Sequence, residues 1–278
     1  MPRTTTRTVL GTALAAGLLA AGACGGDDGG ATDTAATGTT GGDTTGTTAG
    51  EPVIDPGDGG RYAPEIDPAD FVETVDNPYM TLTPGASWSY RGEEDGEVEN
   101  VEVTVTDQRR EVMGVSAVVV RDTVSDADGA VVEDTRDWFA QDREGNVWYM
   151  GEDTAEYEDG EVTSTEGSWE AGRDGALPGI AMPADPTVGY AYRQEYYPGE
   201  AEDLAEVARL GASESVPEGD HDDLLVIKEW NPLDPEVVEE KYYAAGLGLV
   251  LEVKVAGGDG RIELVDATDA AGPTTTGP

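Results

Sequence analysis

Residues 133–172 constrain the fold more strongly than any other stretch of the chain. Their sequence is EDTRDWFAQDREGNVWYMGEDTAEYEDGEVTSTEGSWEAG, which holds three of the five tryptophans. The polar segments DREGN (142–146) and EDG (158–160) interrupt runs of aromatic and β-branched residues. This pattern is typical of antiparallel strands joined by tight turns. The stretch therefore predicts consecutive β-hairpins, and it contains no catalytic or cofactor-binding signature.

The same pattern extends over most of the remaining chain. Val101, Val103 and Val105 alternate with polar residues, as in a strand with one buried face. About ten such segments follow one another at hairpin spacing, with no strong helix between them. We therefore predict a single all-β antiparallel domain, either a β-sandwich or a curved half-barrel.

Two segments fit this scheme less directly. Between residues 200 and 210, Ala201, Leu204, Ala205 and Ala208 recur at helical spacing, whereas residues 204–210 fit a strand equally well. Both alternatives stay open at this point. Residues 177–183 are bounded by prolines and too short for a helix, so they predict an ordered loop.

Residues 1–23 have the features of an export signal. Arg3 and Arg7 precede an apolar run over residues 9–21, and the small residues 21–23 follow directly before Cys24. The apolar run is too short to span a bilayer comfortably, so it predicts a cleaved signal peptide.

Small residues followed at once by a lone cysteine resemble the lipobox of bacterial lipoproteins. Ala21 stands where leucine is usual in that motif. The resemblance implies that the Cys24 thiol receives a diacylglycerol group, which would anchor the protein to the extracytoplasmic face of the cell membrane. The alternative is plain secretion with a free cysteine.

The region after Cys24 predicts a tether. Residues 24–61 are rich in Gly, Thr and Asp and lack an aromatic residue until Tyr62, so they cannot offset the entropy of ordering. A Gly-rich coil of this length spans roughly 30–36 Å. We place the folded domain at residues 62–266 and a disordered tail at residues 267–278. The threonines of the tether are candidates for glycosylation.

Charge limits the partners of the chain. Asp and Glu number 58 against 16 Lys and Arg, which gives a formal net charge of −42. This charge repels nucleic acids and anionic headgroups, and it favours a soluble monomer. The remaining partners are the membrane, through the lipid anchor, and a cell-wall polymer or an envelope protein.

The chain has little metal-binding or nucleophilic chemistry. It has one cysteine and one histidine, His221, so a disulfide, a cysteine zinc site and a histidine-rich metal site are excluded. Asp126 and Asp128 match the middle of a calcium loop, but the first aspartate and the final glutamate of that loop are missing. We favour an ordinary Asp-Gly hairpin over a calcium site and expect no cofactor.

Aromatic side chains are the remaining candidates for ligand binding. They could line a groove for a sugar or an acyl chain, but a domain with two phenylalanines must also build its core from Trp and Tyr. We expect most of them to be core residues. The candidates are Trp138, Trp148, Tyr149, Trp169 and Tyr196.

Four segments together resemble a family of uncharacterised bacterial exported lipoproteins. They are NPYMTLTPGASWSYRG (77–92), DWFAQDREGNVWYMGEDTAEYEDG (137–160), VPEG (216–219) and KYYAAGLGLVLE (241–252). The last segment also looks like a strand of curved, half-barrel, lipid-anchored β domains. The resemblance implies this fold and an envelope location, and it implies no reaction.

Three functions are compatible with these observations. We favour a non-catalytic binding or scaffolding module in the cell envelope. A carrier of lipids or other apolar ligands would need a deep apolar cavity. An envelope glycoside hydrolase would need two carboxylates facing one bond, and among 58 acidic residues such pairs arise by chance.

Overall fold

The computed structural model describes residues 62–268. The predicted signal peptide, the predicted lipidation site Cys24, the predicted tether up to residue 61 and residues 269–278 lie outside the described residues. In residues 62–268 no helix is long and apolar enough to cross a membrane.

The described chain consists almost entirely of antiparallel strands, with one turn of 3₁₀ helix at Pro68–Asp70. The strands, in chain order, are β1 (Phe71–Val72), β2 (Asp76–Asn77), β3 (Met80–Thr81), β4 (Ser87–Glu94), β5 (Glu97–Val112), β6 (Val115–Asp126), β7 (Val131–Asp142), β8 (Val147–Glu158), β9 (Glu161–Ser164), β10 (Trp169–Glu170), β11 (Leu177–Met182), β12 (Ala191–Arg193), β13 (Glu195–Tyr196), β14 (Leu204–Ser215), β15 (Asp220–Asn231), β16 (Asp234–Ala244), β17 (Gly248–Ala256) and β18 (Arg261–Thr268). The last strand continues two residues beyond Asp266, where the sequence interpretation ends the domain.

One main sheet contains all the long strands, and its two terminal strands are consecutive in the chain. The strand order is β12-β14-β15-β16-β17-β18-β4-β5-β6-β7-β8-β11-β13. The terminal strands β12 and β13 are neighbours in the chain, separated by Gln194 alone. The sheet therefore curves into a nearly closed half-barrel, which confirms the predicted all-β class and selects the half-barrel over the sandwich.

The hairpins predicted from residues 133–172 are present. β7 pairs with β8 across the turn at residues 143–146, and β8 pairs with β9 across Asp159 and Gly160. Asp159 has φ 55° and Gly160 has φ 81°, a left-handed pair that suits a tight hairpin turn. The periodicity of the sequence is thus sufficient to place these strands.

The N-terminal segment is fastened to the turn between β7 and β8. The Gln141 side-chain oxygen accepts hydrogen bonds from the backbone N–H groups of Asp76 and Asn77, at 2.8 and 2.9 Å. The Asn77 side chain donates to the carbonyl oxygens of Gly145 and Pro183, both at 3.0 Å. These bonds hold the small β2–β3 ribbon against the main sheet.

The helical alternative for residues 200–210 is wrong. Residues from Leu204 onward form β14, which pairs with β15. The register shifts between Val207 and Arg209, so Ala208 is an extra residue in a bulge. This bulge breaks the strict alternation of the strand and imitates the spacing of apolar residues in a helix.

The predicted loop at residues 177–183 is also wrong, because Leu177–Met182 form β11. This strand pairs with β8 on one side, where Ile180 faces Trp148, and with β13 on the other, where Leu177 faces Tyr196. Pro178 has no N–H to donate, but its carbonyl oxygen accepts a hydrogen bond from the Tyr62 hydroxyl at 2.7 Å. β11 therefore forms the seam at which the sheet closes.

The close packing around Gly179 in β11 predicts that one added methyl group destabilises the protein. A Cβ atom at Gly179 would lie 2.2 Å from the carbonyl oxygen of Gln194. We expect Gly179→Ala to push β11 away from the 193–195 segment and to lower the free energy of unfolding by about 1–3 kcal/mol. Urea titration of the purified protein measures this change.

Gly219→Ala is the matched control, because a Cβ atom there has no heavy atom within 4 Å. Its stability should change by less than about 0.5 kcal/mol. Equal midpoints for Gly179→Ala and the unaltered protein would show that the seam is not closely packed.

Candidate functional site

The inner face of the half-barrel carries a group of buried carboxyl side chains. We call this group the interior carboxyl cluster, since electrostatic interactions connect its members across the sheet. All of its members are buried: Asp122, Glu133, Asp137, Glu152, Glu195, Asp203, Glu229 and Glu252. Buried acidic residues are rare unless they are paired or neutral, so their presence needs a physical account.

Lys241 supplies a fully buried positive charge within the cluster. Its Nζ lies 2.7 Å from Glu229 Oε2 and 3.7 Å from Glu252 Oε2. Burial alone lowers the pKa of Lys241, but the charges of Glu229 and Glu252 outweigh burial, and the pKa is raised well above its usual value. Gln194 Nε2 also donates to Glu229 Oε1 at 2.8 Å, which ties the cluster to the seam.

The other carboxyl groups of the interior carboxyl cluster outnumber the single positive charge of Lys241. Burial raises the pKa of Asp137 to about 7, although a hydrogen bond from the Tyr149 hydroxyl at 2.7 Å opposes the change. Burial raises the pKa of Asp203 to about 8 and that of Glu252 to about 8. These groups hold a proton far more readily than carboxyl groups in water.

Asp122 and Glu195 are the extreme members of the cluster. Within residues 62–268, none of their carboxyl oxygens has a hydrogen-bond partner. Burial, followed by neighbouring carboxylates, raises the pKa of both groups well above the usual range. Burial therefore favours the protonated form of both groups, because an isolated buried carboxylate is much more costly than the neutral acid.

The structure also places the calcium candidates. Asp126 Oδ1 accepts hydrogen bonds from the backbone N–H groups of Asp128 and Ala130, at 3.0 and 2.9 Å, within the hairpin between β6 and β7. Over residues 62–268, no three or more His, Cys, Asp or Glu side chains are arranged to hold a metal ion. His221 lies near the start of β15, with Nε2 2.8 Å from Glu218 Oε2.

A polar groove opens on the surface where β8, β10 and the following turn meet. Its volume is about 300 Å³. We call it the Arg110 groove, and its lining residues are Arg110, Trp138, Glu152, Asp153, Ser168, Trp169, Glu170, Arg173, Asp174, Ala176 and Tyr197.

Glu170 organises the charged side chains of the Arg110 groove. Arg110 Nε donates to Glu170 Oε2 at 3.0 Å, and Arg173 pairs with the other oxygen of the same carboxylate. The Arg110 guanidinium also lies 4.0 Å from the centre of the Trp138 ring. A guanidinium held by both a carboxylate and an aromatic face is fixed in position before any ligand arrives.

Glu152 connects the groove to the interior carboxyl cluster. It lies opposite Asp137 in the β7–β8 pair and opposite Trp169 in the β8–β10 pair. Trp169 in turn packs edge-on against the Tyr149 ring, with centroids 5.3 Å apart. Burial, together with Asp137 and Glu133, raises the pKa of Glu152 well above its usual value.

The aromatic candidates from the sequence fall into three environments. Trp138 and Trp169 are buried residues that form walls of the Arg110 groove. Trp148 and Tyr149 belong to the core, and Trp148 Nε1 donates to Asp142 Oδ2 at 2.8 Å. Tyr196 is partly exposed and lies 4.5 Å beneath the Arg193 guanidinium.

Sequence reasoning missed the interior carboxyl cluster, Lys241 and the role of Arg110. Lys241 lies in β16 and Glu252 lies in β17. A charged residue in an antiparallel strand ordinarily marks the face that is exposed to water, so neither residue is expected to be buried. The sequence of β17 did carry a signal, because Leu249, Val250 and Leu251 are consecutive apolar residues that point to alternate faces of the strand. Apolar residues on both faces of a strand indicate that both faces are covered.

The chain matches no protein-family model and no curated protein. Among solved structures it is similar to a Bacteroides fragilis protein described as exported and of YmcC-like fold, with 14% identity and a TM-score of 0.43. That match covers 70% of this chain and 100% of the other. A Parabacteroides distasonis protein described as a lipoprotein has 12% identity and a TM-score of 0.37, over 70% of this chain and 99% of its own. Neither resemblance is close enough to support an argument.

The interior carboxyl cluster predicts an unusual dependence of stability on pH. Carboxyl groups with pKa values of about 7 and about 8 in the folded chain return to about 4 on unfolding. The folded form then binds more protons, so its stability must fall as the pH rises from about 4 to about 8. Urea titrations at several pH values measure this slope, and a free energy of unfolding that rises over this range would contradict the account.

A variant localises this effect to the cluster. Asp137→Asn keeps the shape of the neutral acid but has no proton to release, so the slope of stability against pH should become smaller. Glu102→Gln, at an exposed position of β5, removes the same formal charge and is the control. Its slope should match that of the unaltered protein.

Proposed function

We propose that the protein is anchored by a lipid on Cys24 to the extracytoplasmic face of the cell membrane and that its β domain is a non-catalytic binding module. The export signal, the cysteine directly after it and the tether support the location. The Arg110 groove is the observation that carries the binding role, because its charged and aromatic side chains are already fixed by one another. A pre-organised site loses little entropy when a ligand binds.

The composition of the interior argues against a carrier of apolar ligands. An acyl chain inside the half-barrel would have to pack against carboxyl groups such as Asp122 and Glu195, which have no hydrogen-bond partner within residues 62–268. An apolar ligand could neither donate a hydrogen bond to these carboxyl groups nor accept one from them. The interior is therefore poorly suited to this role.

The hydrolase alternative rests on Glu152, which lines the groove and has a raised pKa. A protonated carboxyl group beside ionised ones is the arrangement that glycoside hydrolysis requires. The raised pKa, however, is shared with Asp122, Asp137 and Glu195, which belong to the interior. It is thus a consequence of burial and does not distinguish Glu152 as a catalytic acid.

Both parts of the proposal are tested with Cys24→Ala. This variant should leave the membrane fraction and enter the medium, or accumulate as uncleaved precursor, because no lipid can be attached. Protein released in this way should still sediment with isolated cell envelopes, through the Arg110 groove. Thr34→Ala, within the tether, is the control and should remain in the membrane fraction.

Two outcomes would contradict the proposal separately. If the Cys24→Ala protein stays in the membrane fraction with a normally cleaved N-terminus, the lipid anchor is wrong. If the released protein does not sediment with envelopes, or if it liberates reducing ends from them, the non-catalytic binding role is wrong.

A further inference from the structure

The Arg110 groove combines positive and negative side chains. Arg110 and Arg173 contribute two positive formal charges, and Glu152, Asp153, Glu170 and Asp174 contribute four negative ones, of which Glu152 has a pKa raised by burial well above its usual value. The two guanidinium groups thus offset part of the local negative charge, on a chain with a formal net charge of −42. An anionic ligand would be repelled by the protein as a whole, and a cationic ligand would meet the two guanidinium groups inside the groove.

The polar groups of the groove include donors and acceptors close to each other. The guanidinium groups of Arg110 and Arg173 only donate, and the carboxylates of Asp153 and Asp174 only accept. The indole N–H of Trp169 is buried and has no acceptor within residues 62–268. A ligand that fits must therefore donate and accept at neighbouring positions.

A hydroxyl group both donates and accepts a hydrogen bond, and it carries no charge. We propose that the Arg110 groove binds an uncharged sugar unit of an envelope glycan. The volume of about 300 Å³ is at the lower end of the range for small-ligand sites, which suits one or two sugar rings. This inference rests on the proposed binding function and names its ligand class.

Tryptophan side chains complete the site. Trp138 and Trp169 form apolar walls, and Trp138 is held beneath Arg110. Behind these walls a Cβ atom at Gly151 would lie 2.4 Å from the Trp169 carbonyl oxygen and 3.0 Å from the Trp138 ring. The glycine therefore permits β8 and β10 to approach closely enough to bring the two rings to one groove.

The test is a titration of the full-length protein with defined sugars. The probes are neutral hexasaccharides of glucose, mannose, galactose and N-acetylglucosamine, with hexagalacturonate as the anionic counterpart. Isothermal titration calorimetry is carried out in a detergent without a sugar headgroup, since such a headgroup could compete. We expect at least one neutral hexasaccharide to bind more tightly than hexagalacturonate.

A matched pair of arginine variants localises the binding. Arg173→Ala removes a largely exposed donor of the groove and should weaken the affinity about tenfold, the effect of losing one charge-assisted hydrogen bond. Arg143→Ala removes the same charge from an exposed position outside the groove and should leave the affinity unchanged. Melting curves of both variants verify that the fold is intact.

The inference is overturned if no neutral hexasaccharide binds, if hexagalacturonate binds more tightly, or if Arg173→Ala has no effect. The experiments distinguish a failure of the neutral-sugar inference from a failure of the proposed binding function. Sedimentation of the Cys24→Ala protein with envelopes, without binding of any neutral sugar, would leave the binding function standing and refute the ligand class. Binding of a neutral sugar in the groove, without sedimentation, would support the ligand class and refute the envelope partner.

Discussion

Closing an antiparallel sheet turns one face of every strand away from water, and in this protein that face carries carboxyl groups as well as valines. The ion pair between Lys241 and Glu229 compensates one of these charges. The remaining acids must be protonated or hydrogen-bonded, because ions are costly in a medium of low polarity. The fold therefore depends on keeping most of its inner acids neutral.

This constraint also shapes the surface of the molecule. Glu152 belongs to the interior carboxyl cluster and at the same time borders the Arg110 groove. Trp169 faces Glu152 across the β8–β10 pair and packs on Tyr149, whose hydroxyl group donates to Asp137. The buried side chains behind the groove thus hold its Trp169 wall in place, as a pre-organised binding site requires.

The sequence was sufficient for the hairpins, because alternation and Asp-Gly turns are local signals, as in β5 and in the β8–β9 turn. It was insufficient where long-range pairing decides the structure. The bulge at Ala208 and the pairing of β11 on both sides are set by neighbours distant in the chain. The same holds for Lys241 and Glu252, whose strand positions are typical of solvent-exposed residues until the sheet closes over them.

Burial raises the pKa of the inner carboxyl groups of the folded protein above the values of carboxyl groups in water. The most direct measurement is a pH titration of the side-chain carboxyl ¹³C chemical shifts of the folded protein by NMR. We expect Asp137 to titrate near pH 7, and Asp203 and Glu252 to titrate near pH 8. Titration of every carboxyl group below about pH 5, as in unfolded chains, would contradict this expectation.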